Sequence, residues 1–201
     1  MGVERPARRT PVTPEQVFVA LGAAWQLLTG TPPDRKTILI FHAQSAFETG
    51  HWGKVMNFNL GGIKKHDPCD WTYYATTEDY TSDASANAAL ASSKPGAEVT
   101  LVKRGPDGIK LRFSGKQRTN CFASWEDLDS GARGYIALLL RRFPAAIERA
   151  KAGDARGYVA ELKKAKYFTG PVDVYAASVD SITRSYGRKL ANVMLPTVVV
   201  L

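Results

Sequence analysis

The stretch from residue 43 to 64, A-Q-S-A-F-E-T-G-H-W-G-K-V-M-N-F-N-L-G-G-I-K, sets a single carboxylate, Glu48, between an apolar run and several glycines. A glutamate in the last turn of a helix faces the negative end of the backbone dipoles, which favours its protonated form. A carboxylic acid that keeps its proton near neutral pH can donate it to a leaving group, so the chemistry on offer is general acid catalysis. Glycines that permit tight turns, together with Phe47, Trp52 and Phe58, are the composition of a cleft edge rather than of a solvated surface. Other chemistries are poorly served. Cys69, Cys121 and three isolated histidines show neither C-x-x-C nor H-E-x-x-H spacing, so no metal and no cofactor is expected. Cys121 follows all three histidines, the reverse of the papain-like order, which disfavours a cysteine peptidase.

Glu48 needs a helix to carry it. Thr13-Pro14-Glu15-Gln16 supplies an N-cap, a proline at the first helical position and a capping-box glutamine, with Val17, Leu21, Ala24 and Leu28 on one face. That predicts a helix to about Leu28, broken by T-G-T-P-P-D. A second helix is predicted from about Asp34 to Thr49, stopped by Gly50, with Phe41, Gln44, Ser45 and Glu48 on one face. Beyond Asn57 the helical period fails. W-T-Y-Y-A-T-T-E reads as a strand ending at Glu78, E-V-T-L-V-K-R-G-P-D-G-I-K-L-R-F as a hairpin around Gly105 to Gly108, and the alanine- and serine-rich run between them as a mobile loop. Ser124 to Asp127 resembles a capping box opening a helix to about Phe143, ended by Pro144. Helices over roughly 155–166 and 171–186 follow, the last closed by Gly187. Helices, a β segment, then helices again predict an α+β class.

A chain of 201 residues is expected to form one domain, here residues 13–187, with a disordered basic lead over 1–12 and a tail over 188–201. The net charge of +8 draws the protein to polyanions, and acidic lipid surfaces, nucleic acid and bacterial envelope polymers all qualify. The basic residues are scattered and form no RNA-binding signature, so nucleic acid is not expected as a partner. The N-terminus lacks the apolar core of a secretory signal, and the apolar end V-M-L-P-T-V-V-V-L is too short to span a membrane. Export by another route, or release by lysis or with a phage, is the expectation.

The order of motifs resembles the glucosaminidase family of peptidoglycan hydrolases, which includes flagellar hydrolases, autolysins and phage lysins. The residues that carry the resemblance are Ala43, Gln44, Glu48-Thr49-Gly50, Trp52-Gly53, Asn57 to Leu60 and Gly62-Ile63-Lys64. Asp70 to Tyr74, Phe122 to Asp127 and the run L-K-K-A-K-Y-F-T-G-P-V-D-V-Y-A-A-S-V from Leu162 continue it. It covers about residues 13–187.

The resemblance implies a lysozyme-like fold, a mostly helical body with a small β-hairpin lobe flanking a substrate groove, and an endo-β-N-acetylglucosaminidase acting within peptidoglycan glycan strands at the cell wall; a monomer is expected. It aligns the catalytic acid with Glu48. A second carboxylate on the β lobe falls on Glu78, with Glu98 as rival because the segment from 81 to 96 blurs the register. Tyr167 matches a tyrosine near the family's active site that positions substrate or water. Gln44, Trp52, Asn57, Asn59, Gly62, Trp71 and Tyr74 are then the implied substrate-binding residues; aromatic faces pack on sugar C–H surfaces and amides bind acetamido groups. Trp52, Trp71, Tyr73 and Tyr74 could equally be core, and no more than two of them are expected to meet sugar. Muramidase or lytic transglycosylase chemistry on the same fold stays open, as does a wall-binding protein without chemistry.

Overall fold

The computed structural model describes residues 2–66, 68–80, 82–91, 98–106, 108–168 and 170–196. It is α+β, as expected, with seven α-helices and five strands among the described residues. The chain divides into two compact units, each built from two stretches: residues 1–8 with 63–124, and residues 9–62 with 125–201. Where length predicts one domain, the chain forms two units, a helical one and a β-rich one that interrupts it in sequence and has its own small core.

The helical unit opens with α1 (Pro14–Thr29), where Thr13 Oγ1 accepts from Gln16 N at 3.2 Å and Gln16 Oε1 accepts from Thr13 N at 2.8 Å, and Gly30 closes the helix with a left-handed φ of 71°. The helix that carries Glu48 is α2 (Arg35–Glu48), capped by Asp34 and buried from Thr37 to Ser45 and Ala46. Its central position explains why sequence polarity along it is weak: α1, α5 and α7 all pack against it. The unit continues with α4 (Leu128–Arg142), α5 (Pro144–Lys151), α6 (Ala155–Lys164) and α7 (Val172–Lys189). Three boundaries differ from expectation. Ser124 lies in a strand, and Asp127 caps α4 by accepting from Ser130 N at 2.7 Å. Pro144 begins α5 rather than merely ending α4, because proline suits the first helical turn. Gly187 lies inside α7, where its neighbours Tyr186 and Leu190 are buried, so packing overrides the glycine's weak helix propensity. The tail is also tied down as far as it is described: Arg35 donates to the carbonyls of Leu190 and Val193.

In the β unit, β1 (Asp70–Tyr73) pairs antiparallel with β5 (Cys121–Ser124), whereas β2 (Thr76–Tyr80), β4 (Gly108–Ser114) and β3 (Glu98–Gly105) form a separate sheet in that order. The expected single strand W-T-Y-Y-A-T-T-E is therefore two strands in two sheets, broken at Tyr74 and Ala75, and Glu78 sits in the middle of β2 opposite Leu111. The alanine-rich run forms α3 (Asp83–Ala91) instead of a loop; Ser82 Oγ accepts from Ser85 N at 3.2 Å, and Ala86 packs with Ile109, Leu111 and Phe113. Residues 92–96 of the same expected loop lie outside the described residues. The basic lead is ordered where described: Arg5 N donates to Trp71 O at 2.7 Å, Trp71 N donates to Val3 O at 3.0 Å, and the Arg5 guanidinium pairs with Asp70 at 2.7 Å. A free edge of β1 offers the backbone partners that a composition reading does not reveal. Cys121 lies opposite Tyr73, at the far end of β1 from Cys69, so the two thiols are not placed to bond to each other.

Candidate active site

Glu48 ends α2, and the phenol that reaches it comes from α7: Tyr175 donates to Glu48 Oε1 at 2.5 Å. The Tyr175 ring is held between Phe47 at 4.5 Å and Phe168 at 4.2 Å between centroids, the latter nearly parallel at 18°. Two aromatic walls therefore aim one hydroxyl at one carboxylate oxygen. Glu48 retains exposed surface, yet protein atoms crowd its carboxylate; surface area measures the open path to water, while the pKa follows the density of protein around the charge. Desolvation raises the Glu48 pKa, and the Tyr175 hydrogen bond opposes part of that rise. Reachable and reluctant to ionise, it fulfils both requirements of a general acid.

Gln44, one turn earlier, is fully buried. Its Oε1 accepts from Tyr135 at 2.6 Å and from Tyr158. Its amide nitrogen, buried with it, closes no hydrogen bond; its influence is felt at Tyr175, whose pKa burial pushes up and the Gln44 amide draws back in part. Gln44 thus holds other side chains and has no surface for substrate. Tyr167, for its part, donates to Gly61 O at 3.1 Å and packs edge-on against Phe143 at 5.3 Å. The hydroxyl bonded to Glu48 is that of Tyr175, eight residues further on, which the sequence reading passed over although it lies within the same matched run. Tyr135 and Tyr158 were likewise missed; both sit mid-helix and read as ordinary core.

The loop after α2 departs most from ordinary backbone. His51, Trp52, Asn57 and Phe58 have φ of 53°, 64°, 48° and 53°, left-handed values that large side chains adopt only when the surroundings enforce them. Trp52 is 3% exposed, donates from Nε1 to Ser45 Oγ at 3.1 Å and packs on His42 at 4.6 Å, so it is core and not a sugar platform. Asn57 and Asn59 are buried too; Asn57 O accepts from Trp125 N at 3.0 Å, and Asn59 Oδ1 accepts from Gly61 N at 3.4 Å. They shape the loop from within rather than lining an open floor. Gly62, with φ of 61°, makes the turn at its end. His42 is buried and neutral, its pKa lowered to about 4 by desolvation, with Nε2 on Pro14 O at 2.9 Å.

The remaining expected residues lie in the β unit. Glu78 is exposed, and its charge acts on Lys64, whose pKa is lowered by desolvation first and partly restored by Glu78. Glu98 is exposed and accepts from Ser114 Oγ at 3.2 Å. Trp71 is half-buried under the Lys65 ammonium, 3.2 Å from its ring centroid. Tyr74 is half-buried and stacked on Phe122 at 4.2 Å. Among the described residues no cluster of three or more His, Cys, Asp or Glu could hold a metal, and no helix is long and apolar enough to cross a membrane.

No family profile matches the chain, and no curated protein sequence matches it. Among solved structures, the catalytic domain of the autolysin Auto from Listeria monocytogenes is similar at 17% identity and a TM-score of 0.42, covering 89% of this chain and 87% of that one.

Proposed function

We propose that this protein is a peptidoglycan hydrolase of lysozyme-like fold that cleaves β-1,4 glycosidic bonds within the glycan strand as an endo-β-N-acetylglucosaminidase. The observation that carries the reading is Glu48: a reachable carboxyl at a helix end, desolvated so that it holds its proton, with a phenol on one of its two oxygens. In glycoside hydrolysis such an acid protonates the leaving oxygen as the bond to the anomeric carbon breaks. The Tyr175 hydroxyl then stabilises the carboxylate left behind. The ordered motif match from Gln44 to Val179 supports the substrate class.

Glu78 is the proposed second carboxylate, holding a water or the oxocarbenium-like charge; its exposure leaves it available, whereas Glu98 is engaged with Ser114. Tyr167 acts through the Gly61 carbonyl, as a positioning residue for the turn at Gly61 and Gly62. Trp71 and Tyr74 are the two aromatics proposed to meet sugar. The net charge of +8 suits an enzyme working at the cell wall among anionic envelope polymers.

Digestion of purified peptidoglycan, followed by identification of the new end, tests the reading. Reducing N-acetylglucosamine is the expected product. Reducing muramic acid or an anhydro end would reassign the bond to muramidase or lytic transglycosylase chemistry. Wall binding by folded protein with no new end would make this a binding protein.

A further inference from the structure

We infer that Tyr135, Tyr158, Gln44 and Tyr175 form a one-directional hydrogen-bond chain that ends on Glu48 Oε1 and so reserves Oε2 as the oxygen that carries and delivers the proton. The inference deepens the hydrolase reading and rests on it for the identity of the proton's recipient.

The direction is set at Gln44. Its carbonyl oxygen accepts from the Tyr135 and Tyr158 hydroxyls, so its orientation within α2 is settled by two donors from α4 and α6. An amide held in this way must direct its NH2 elsewhere, and in a fully buried residue that group needs an acceptor. In the proposed chain that acceptor is the Tyr175 hydroxyl, whose pKa the Gln44 amide draws down, although no hydrogen bond is closed between the two in this structure. A phenol whose lone pair faces an amide donor is left to donate its own hydrogen, and the hydrogen goes to Glu48 Oε1. Each bond polarises the next in the same sense. A protonated Glu48 therefore cannot place its hydrogen on Oε1, where two hydrogens would collide. When Oε2 gives up its proton and the electron pair of the broken bond leaves with the sugar oxygen, the new negative charge falls on a carboxylate already accepting from Tyr175. Gln44 and Tyr175 are positioning residues, since neither is required to touch substrate.

Four phenols feel the Glu48 charge: Tyr135 on α4, Tyr158 on α6, Tyr167 just after α6 and Tyr175 on α7. Burial pushes every one of them above its ordinary value, so all remain neutral through the range in which Glu48 titrates.

The test is titration of the Glu48 carboxyl in the full chain by carbon-13 NMR, in the wild type and in Tyr175→Phe, Gln44→Leu and Tyr158→Phe, with pH–turnover profiles on peptidoglycan alongside. Loss of the Tyr175 donor should move the Glu48 midpoint upward, carry the alkaline limb of the turnover profile up with it and lower plateau turnover about tenfold, the loss of one charge-assisted hydrogen bond. Gln44→Leu should move the midpoint the same way by less. Should Gln44→Leu fail to fold, Tyr158→Phe interrogates the same link by removing one of the two donors that orient Gln44, with a smaller upward shift expected. An unmoved or lowered midpoint in folded Tyr175→Phe overturns the chain. The titration needs no substrate, so wild-type protein that releases nothing from peptidoglycan would remove the hydrolase reading while the NMR result still decides the chain.

Discussion

Two helical glycines of the same unit should respond in opposite directions to the same substitution. Gly131 lies in the first turns of α4, and a Cβ built there stands 2.2 Å from the Phe58 carbonyl oxygen and 3.0 Å from the Phe58 Cβ. Gly187 lies near the end of α7, where a Cβ meets only Leu39 Cδ1 at 3.7 Å, an ordinary contact. Alanine gains up to about 1 kcal/mol over glycine in a helix, less near an end, so Gly187→Ala should stabilise the protein by about 0.5 kcal/mol. Gly131→Ala gains the same propensity but drives a methyl into backbone about 1 Å too close, an overpacking cost near the upper end of roughly 1–3 kcal/mol, for a net loss of about 2 kcal/mol. At about 2–4 °C per kcal/mol for a chain of this size, Tm should fall by about 4–8 °C in Gly131→Ala and rise by about 1–2 °C in Gly187→Ala. Trp25, Trp52 and Trp125 all belong to the helical unit, so fluorescence-detected urea and thermal unfolding reports largely on it. Phe58 belongs to the left-handed loop that carries Asn57 and Gly62, and peptidoglycan turnover of the folded Gly131→Ala should therefore fall further than its stability accounts for. Stabilisation by Gly131→Ala equal to that by Gly187→Ala, with turnover kept, would refute the seating of this loop against α4.

Glu48→Gln should abolish release of glycan fragments while retaining wall binding, because an amide keeps the shape but has no proton to give; removal of a general acid is worth about 10²–10⁴ in turnover. Near-normal activity in folded protein would end the assignment. Glu78→Gln should lower turnover by orders of magnitude with binding nearly kept and Glu98→Gln should change little; loss in Glu98→Gln alone would move the second carboxylate to the hairpin. Sedimentation with purified walls should weaken steeply as salt rises, since the net +8 acts through a field screened over about 10 Å at 0.1 M, while turnover of a short neutral oligosaccharide should not; equal responses would remove the charge from wall targeting. His42 carries a folded pKa lowered from 6.5 to about 4, so the unfolded chain binds the proton first and stability is lost as pH falls from about 6.5 towards 4, by about 3 kcal/mol from this group. Urea midpoints should decline over that window and flatten in His42→Gln; an unchanged slope would show that another group governs the acid limb.

Local signals were legible where the physics is local. The Thr13 capping box, the proline at the first position of α1, the Gly30 stop, the end of α2 at Glu48 and the pairing of Gly105 with Gly108 at the ends of β3 and β4 all follow from residues within a few positions of one another. Where a distant partner decides, the reading failed. The alanine-rich run becomes α3 because Ala86 finds the face of β4, the lead is ordered because β1 has an edge to pair with, and Gly187 stays helical because Tyr186 and Leu190 are buried on either side of it.

The candidate site divides in the same way. A carboxylate in the last turn of an apolar helix is a property of sequence, since the helix dipole and the glycine stop lie within the same ten residues. Which groups surround that carboxylate is not. Gln44 and Trp52 sit in the same matched motif as Glu48, yet burial turns them inward, while Tyr175, 127 positions away along the chain, is the residue that bonds to it. Backbone periodicity fixes the face a side chain leaves from, but the packing of α4, α6 and α7 against α2 decides what it meets, and that is a balance of contacts between residues a hundred positions apart, which no local pattern records.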